Sequence, residues 1–166
     1  MTVIEFHDEN LYNPLDLIER IIEYNNWVFD RRNDCEISVQ VPSNWSEYNL
    51  YFTWNNTISA LHLSCAFDMR VPEKRQHLIY ELLANINEQL WLGYFGMWKN
   101  EGVPMFRHAI PLRGNTMPTI EQMEDLVDTA LYECDRFFPA FQYVIGEGKS
   151  PSYAMKAAMI KTCGEA

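Results

Sequence analysis

His62 and Cys65 are the first side chains to consider for chemistry, because imidazole and thiolate groups bind metals and act as nucleophiles. They lie three residues apart in a segment that alternates like a β-strand. Residues three apart on a strand point to opposite faces, so one ion could not readily take both. The sequence therefore predicts a core thiol at Cys65 and a surface imidazole at His62. We predict no metal and no cofactor.

Cys134 is followed by Asp135 and Arg136, a combination that could indicate an activated thiol. A reactive thiolate needs a nearby cation or a helix N-terminus. Cys134 instead falls on the apolar stripe of a predicted helix, which favours a core position. The same helix carries four carboxylates at helical spacing on one face, typical of a solvated surface: Glu121, Glu124, Asp125 and Asp128.

Glycines in the segment 90–112 form no phosphate-binding loop, since neither GxxxxGK[ST] nor GxGxxG is present. No GxSxG motif occurs either. An enzyme is therefore the third hypothesis for this chain. It would need a cleft where His62, His108 or Cys65 meets a carboxylate, and the sequence predicts no catalytic residue.

Composition and charge exclude further classes of function. The chain has 166 residues and a net charge of −10, which disfavours binding to nucleic acid. The four cysteines are widely spaced and form no CxxC, as expected for reduced thiols. The first residues lack the pattern of a signal peptide, and no apolar run approaches the length of a membrane helix. We expect one cytoplasmic domain spanning residues 1–166 that does not bind membranes.

The elements that would position these side chains are one helix, four short strands, a helix, a hairpin and two more helices. Asn13-Pro14, a capping box at 119–122 and Ser150-Pro151 mark helix starts. We expect the first strand at Trp27–Asp30, an interruption or kink at Pro139 and a linker at 146–148. Single strands do not alternate with long helices. The order predicts an α+β fold with an antiparallel sheet and helices mainly on one face.

The predicted hairpin at 90–112 is apolar on both faces, unlike a strand pair with one wet face. If its loop is Lys99–Gly102, Trp98 faces Val103 and Tyr94 faces Arg107. The face expected to be core carries Trp91, Phe95, Met97, Phe106, His108 and Ile110. The other face carries Leu92, Tyr94, Trp98, Val103, Met105, Arg107 and Ala109.

This second face contains residue types that are enriched at protein interfaces. We predict that it binds a partner through Tyr94, Trp98, Met105 and Arg107. The alternative is a sheet covered by the chain's own helices on both sides.

Four separated segments resemble the YbjN family, and in particular its alphaproteobacterial branch, often labelled bacterial sensory transduction regulators. These segments are EQLWLGYF (88–95), FRHAIPL (106–112), CDRFFPAFQ (134–142) and SPSYAMKAAM (150–159). The resemblance implies a fold like that of type III secretion chaperones, which are small, acidic, often dimeric proteins that bind other polypeptides. It supplies no catalytic residue.

The leading hypothesis is a non-enzymatic cytoplasmic protein that binds another protein, either as a chaperone or as a regulatory adaptor, and that forms a homodimer. The alternative is a small-ligand sensor with an apolar pocket between sheet and helices, lined by Phe137, Phe138 and Phe141. A closed apolar pocket would favour the sensor, whereas a broad exposed groove would favour protein binding.

Overall fold

The computed structural model describes residues 13–114 and 117–163, with side chains as far as Ile160. A 3₁₀ turn at Glu73–Arg75 precedes the second helix. The helices in the described residues are α1 (Pro14–Tyr24), α2 (Gln76–Asn87), α3 (Ile120–Glu147) and α4 (Pro151–Cys163). Over these residues, no helix combines the length and the apolar character that crossing a membrane requires.

Strands of the described residues form one antiparallel sheet with the spatial order β1-β2-β3-β4-β6-β5. They are β1 (Val28–Asn33), β2 (Glu36–Pro42), β3 (Glu47–Asn55), β4 (Ala60–Phe67), β5 (Tyr94–Trp98) and β6 (Val103–Pro111). The predicted α+β fold is confirmed, with helices mainly on one face of the sheet. We call the other side the open face.

The hydrophobic core lies between the sheet and the helices. Alternate residues of β2, β3 and β4 point into it, as the two-residue period of a strand requires. Aromatic rings from α3 then pack on rings of the sheet. Phe141 lies 5.2 Å from Phe67 and 5.7 Å from Phe95, measured between ring centroids. The long helix α3 is therefore fixed against the centre of the sheet.

The predicted helix starts are confirmed. Asn13 accepts a hydrogen bond from the Leu15 N–H at the start of α1. Thr119 and Gln122 form the reciprocal capping box of α3. The Ser150 hydroxyl accepts the N–H of Tyr153 in the first turn of α4. Local side-chain chemistry therefore determines where these helices begin.

Two predictions for the second half of α3 differ from the structure. The helix continues through Pro139, so the predicted interruption is wrong, and the indole of Trp45 donates to the carbonyl that would accept the missing N–H. A kink at Pro139 stays a prediction. The predicted linker at 146–148 is mostly helical, and α3 ends only at Gly148, whose φ of 63° suits a residue without Cβ. The Arg75 guanidinium donates to the carbonyl of Ile145 in the last turn.

Two other boundaries also differ. The first strand is Val28–Asn33 rather than Trp27–Asp30, because it continues pairing with β2 and Arg31 forms ion pairs with Asp16 and Glu19 of α1. The second helix was expected to carry an apolar stripe of Leu78, Leu82, Ile86 and Leu90, but it ends at Asn87, so Leu90 is not part of that stripe.

Candidate functional site

The β5–β6 hairpin has the predicted register: Trp98 faces Val103, Phe95 faces Phe106 and Tyr94 faces Arg107. Its turn closes with hydrogen bonds from the N–H groups of Glu101 and Gly102 to the Trp98 carbonyl, at 3.2 and 2.7 Å. A four-residue loop ending in glycine is a common hairpin connection, which is why the sequence was sufficient to predict it.

The turn is held against the segment before α2. The Val71 N–H donates to the Gly102 carbonyl at 2.7 Å. Gly102 has a φ of 65°, and a Cβ there would lie 2.7 Å from the Val71 carbonyl oxygen. Only glycine fits this position without displacing backbone. The outer end of the hairpin is therefore fixed relative to the sheet.

Pairing between β4 and β6 determines which face each hairpin side chain occupies. Ser64 faces Arg107 and Ala66 faces Met105, whereas Cys65 faces Phe106 in the core. Arg107 and Met105 therefore lie on the open face, and the predicted division of β6 is confirmed. The prediction for Trp91 is wrong: it precedes β5 and is 75% exposed, because the chain enters the strand only at Tyr94.

A groove of about 570 Å³ lies on the open face, between β3 and the end of β5. Ser64, Ala66 and Met105 form its floor, where side chains are small or lie flat. Larger side chains, those of Tyr51, Trp98 and Arg107, border it. The rest of the lining consists of Asn49, Thr53, His62, Phe67, Glu101 and Val103. The face is concave because small residues of β4 lie between larger neighbours; we call this concavity the open-face groove.

The side chains predicted to bind a partner differ in accessibility. Tyr94 and Trp98 are 48% and 49% exposed, and Arg107 is half-buried. Met105 is only 4% exposed, so a bound group could reach it only at the bottom of the groove. Trp98, Met105 and Arg107 line the groove together, while Tyr94 lies opposite Arg107 on the edge strand.

The side chain of Arg107 makes no hydrogen bond or ion pair with any of the residues that the structure describes. The acidic residue of the groove, Glu101, comes from the hairpin turn at its other end. Val103 and Arg107 are four residues apart on β6, about 13 Å at the rise of an extended strand. The groove therefore has a cationic end and an acidic end.

The residues considered for catalysis do not converge. His62 is on the open face. His108 lies opposite Leu63 in the strand pair, and Cys65 is buried in the core on the other side of the sheet. Burial lowers the pKa of His108. Cys134 contacts Cys65 in the core, and burial raises the pKa of its thiol. The four carboxylates of α3 that were predicted to form a solvated face, Glu121, Glu124, Asp125 and Asp128, are exposed.

The three phenylalanines predicted to line a ligand pocket are core residues. Phe137, Phe138 and Phe141 are all buried. Phe137 packs on Phe95, and Phe138 packs on Phe67, with ring centroids 6.0 and 5.3 Å apart. Their rings occupy the space between α3 and the sheet. Phe138 also lines a concavity of about 450 Å³ beside the second half of α3, whereas the open-face groove is on the opposite side of the sheet. The predicted ligand pocket stays a prediction.

Sequence reasoning missed the part of the groove contributed by β3 and β4. Alternation did place His62, Ser64 and Ala66 on one face of their strand. It could not show that β4 pairs with β6, which lies about forty residues later in the chain. Tyr51 and Ser64 were therefore not connected with Arg107, although Tyr51 faces Ser64 and Ser64 faces Arg107.

Comparison with known proteins identifies relatives of this architecture. The model of the YbjN family, described as "Putative bacterial sensory transduction regulator", matches residues 14–143. A crystal structure of YbjN from E. coli, "a putative transcription regulator", superposes with a TM-score of 0.52 at 10% identity. The match covers 89% of this chain and 93% of that one. None of the curated proteins matches the sequence. The alphaproteobacterial branch stays a prediction.

Proposed function

Because this chain belongs to the YbjN family, whose description is that of a regulator, we propose that it is a non-enzymatic regulatory protein that acts by binding another polypeptide. The proposed binding surface is the open-face groove with the adjoining side chain of Tyr94. The observation that carries this proposal is a concavity on the sheet face opposite most of the helices in the described residues, bordered by half-exposed Trp98.

The composition of this surface supports an interface. Tryptophan, tyrosine and arginine are the types most often found among residues that dominate binding energy. Large apolar side chains lie at the rim, while polar groups such as Asn49 and Thr53 lie among them. We propose an extended segment of a partner protein as the occupant, because the groove crosses the neighbouring strands β3, β4 and β6 and exposed aromatic side chains border it.

A second copy of the chain is the competing occupant. The homodimer predicted from the sequence stays a prediction, and sedimentation equilibrium of wild type and Trp98→Ala measures it. A dimer that dissociates on this substitution would make a second copy the occupant and overturn the proposal of a partner segment. A monomer, or a dimer unaffected by the substitution, leaves the face available for a partner segment.

Binding is tested with a displayed library of random seven-residue peptides, selected on the immobilised full chain. Affinities of the selected peptides, made synthetically, are then measured by fluorescence anisotropy. We expect Trp98→Ala to weaken binding about tenfold or more, as for a central interface aromatic. Trp91→Ala is the matched control, since Trp91 is more exposed and lies outside the groove. Failure to select any peptide, or equal effects of both variants, would contradict the proposal.

A further inference from the structure

The guanidinium group of Arg107 is a cation available for a ligand. It is half-buried on the open face, and among the described residues it has no carboxylate partner. The chain has a net charge of −10, so acidic groups are abundant elsewhere. Arginine side chains that are fixed on a sheet and lack an internal partner are suited to bind a carboxylate from outside.

Arg107 has a hydroxyl-bearing residue opposite it on each of the two neighbouring strands. Ser64 of β4 is directly opposite Arg107 on one side, and Tyr94 of β5 is opposite on the other. Cross-strand neighbours of this kind have Cβ atoms about 5 Å apart. His62 is one position further along the same face of β4 and also lines the groove. An acidic group at Arg107 would therefore find additional hydrogen-bond donors.

Towards the turn, the groove becomes apolar. Met105 and Ala66 face each other across β4 and β6, and Trp98 stands at the border. The residue opposite Met105 on β5 is Gly96, and a Cβ there would lie 3.7 Å from the ring edge of Tyr94. The apolar part of the groove beside Met105 is therefore bordered by the rings of Trp98 and Tyr94.

The apolar part of the groove at Met105 and its cationic end at Arg107 are separated by the period of an extended chain. Met105 and Arg107 are two residues apart on β6 and therefore about 6.6 Å apart. An extended peptide places successive side chains of one face at the same interval. From this match we infer that the groove selects a segment with an acidic side chain two positions from a large apolar one. The carboxylate binds Arg107, and the apolar group lies over Met105 beside Trp98. This inference rests on the proposed function.

A carboxylate fits better than a phosphate group. Sites for phosphorylated peptides use clusters of arginine, whereas Arg107 is the sole arginine among the residues that line this groove. Glu101 at the other end would repel a dianion more strongly than a single carboxylate. An internal acidic residue also fits better than a chain terminus, because terminal carboxylates are usually held by backbone N–H groups.

The same peptide library tests this inference when constant residues flank the seven random positions at both ends. We expect wild type to enrich an aspartate or glutamate two positions from a large apolar residue. A synthetic peptide of the enriched sequence and its amide analogue, with Asn or Gln for the acid, are then titrated. We expect Arg107→Gln to weaken binding of the acidic peptide about tenfold or more and to leave the amide peptide within about twofold.

Arg32→Gln is the matched control, since it removes the same charge from a mostly exposed side chain of β1 outside the groove. We expect it to change both affinities by less than about twofold. Enriched peptides without an acidic preference, bound equally by wild type and Arg107→Gln but weakened by Trp98→Ala, would overturn the inference and leave the proposed function intact. Failure to enrich any peptide would contradict both this inference and the proposed function.

Discussion

The indole nitrogen of Trp45 lies 3.0 Å from the backbone carbonyl oxygen of Asp135 and donates a hydrogen bond to it. Asp135 is four residues before Pro139, which has no N–H to give to that carbonyl. Tyr48 adds a second link by donating its hydroxyl to the Asp135 carboxylate at 2.7 Å. Trp45 and Tyr48 therefore supply hydrogen bonds to α3 at the turn where the backbone hydrogen bond from residue 139 is missing.

Replacing Trp45 with phenylalanine should keep the ring stacked on Phe138 but remove the donor. A buried carbonyl left without a partner costs roughly 1 to 2 kcal/mol of unfolding free energy. In a Pro139→Ala background, the new Ala N–H can bond Asp135, so the same substitution should cost less. Urea unfolding of the four proteins of this cycle measures the difference. Equal costs of Trp45→Phe in both backgrounds would show that the hydrogen bond does not compensate for the proline.

Such long-range compensation explains where sequence-based reasoning succeeded and where it did not. The register of β5 and β6 was predictable because a local turn determines it. Pro139 was misjudged because its compensating donor lies ninety residues from Asp135. The neighbours of Arg107 on β4 were missed for the same reason, since strand order in a sheet depends on packing between distant segments. Local sequence signals were sufficient to predict most helices and strands, whereas the groove is formed by contacts between segments that are distant in the chain.

The outer edge of β5 is paired by a side chain. The Phe95 N–H donates to Asn87 Oδ1 at 2.7 Å, and Asn87 Nδ2 donates to the Phe95 carbonyl at 3.0 Å. The amide of Asn87 thus occupies the place of a neighbouring strand on an edge that could otherwise pair with another chain.

We expect Asn87→Ala to lower the unfolding free energy by roughly 1 to 2 kcal/mol and to increase self-association through the exposed edge. Asn85→Ala is the control, because it makes the same change on the same helix without this contact. Urea unfolding and light scattering measure the two effects. The same result for both variants would argue against a specific role for Asn87.

The two core thiols should be chemically protected. Cys65 and Cys134 are fully buried, and burial raises the pKa of Cys134, so thiolate is scarce in the folded state. Cys35, before β2, is partly exposed. We expect brief alkylation by iodoacetamide at neutral pH to modify Cys35 while sparing both core thiols, whose exposure requires unfolding at a cost of about 5 kcal/mol or more. Peptide mass spectrometry locates the modified residues, and the same treatment in urea is the control. Rapid native modification of Cys134 would contradict the core assignment.

The buried carboxyl group of Glu133 on α3 should make stability depend on pH. Burial raises its pKa above the ordinary value of 4.5, although the guanidinium of Arg136, 3.3 Å away, acts in the opposite direction. With a raised pKa, the folded chain binds this proton more tightly than the unfolded chain. Its contribution to stability is therefore complete below the ordinary pKa and is lost as pH rises through the folded pKa.

Glu133→Gln removes the titrating group and keeps an oxygen that can accept a hydrogen bond from Arg136. We expect the unfolding free energy of the variant, relative to wild type, to increase as pH rises from about 4.5 to neutral. Glu124→Gln, at an exposed position on the same helix, is the matched control. Urea unfolding at a series of pH values measures the difference. A relative stability of Glu133→Gln that stays constant or declines over this range would show that the ion pair with Arg136 outweighs burial.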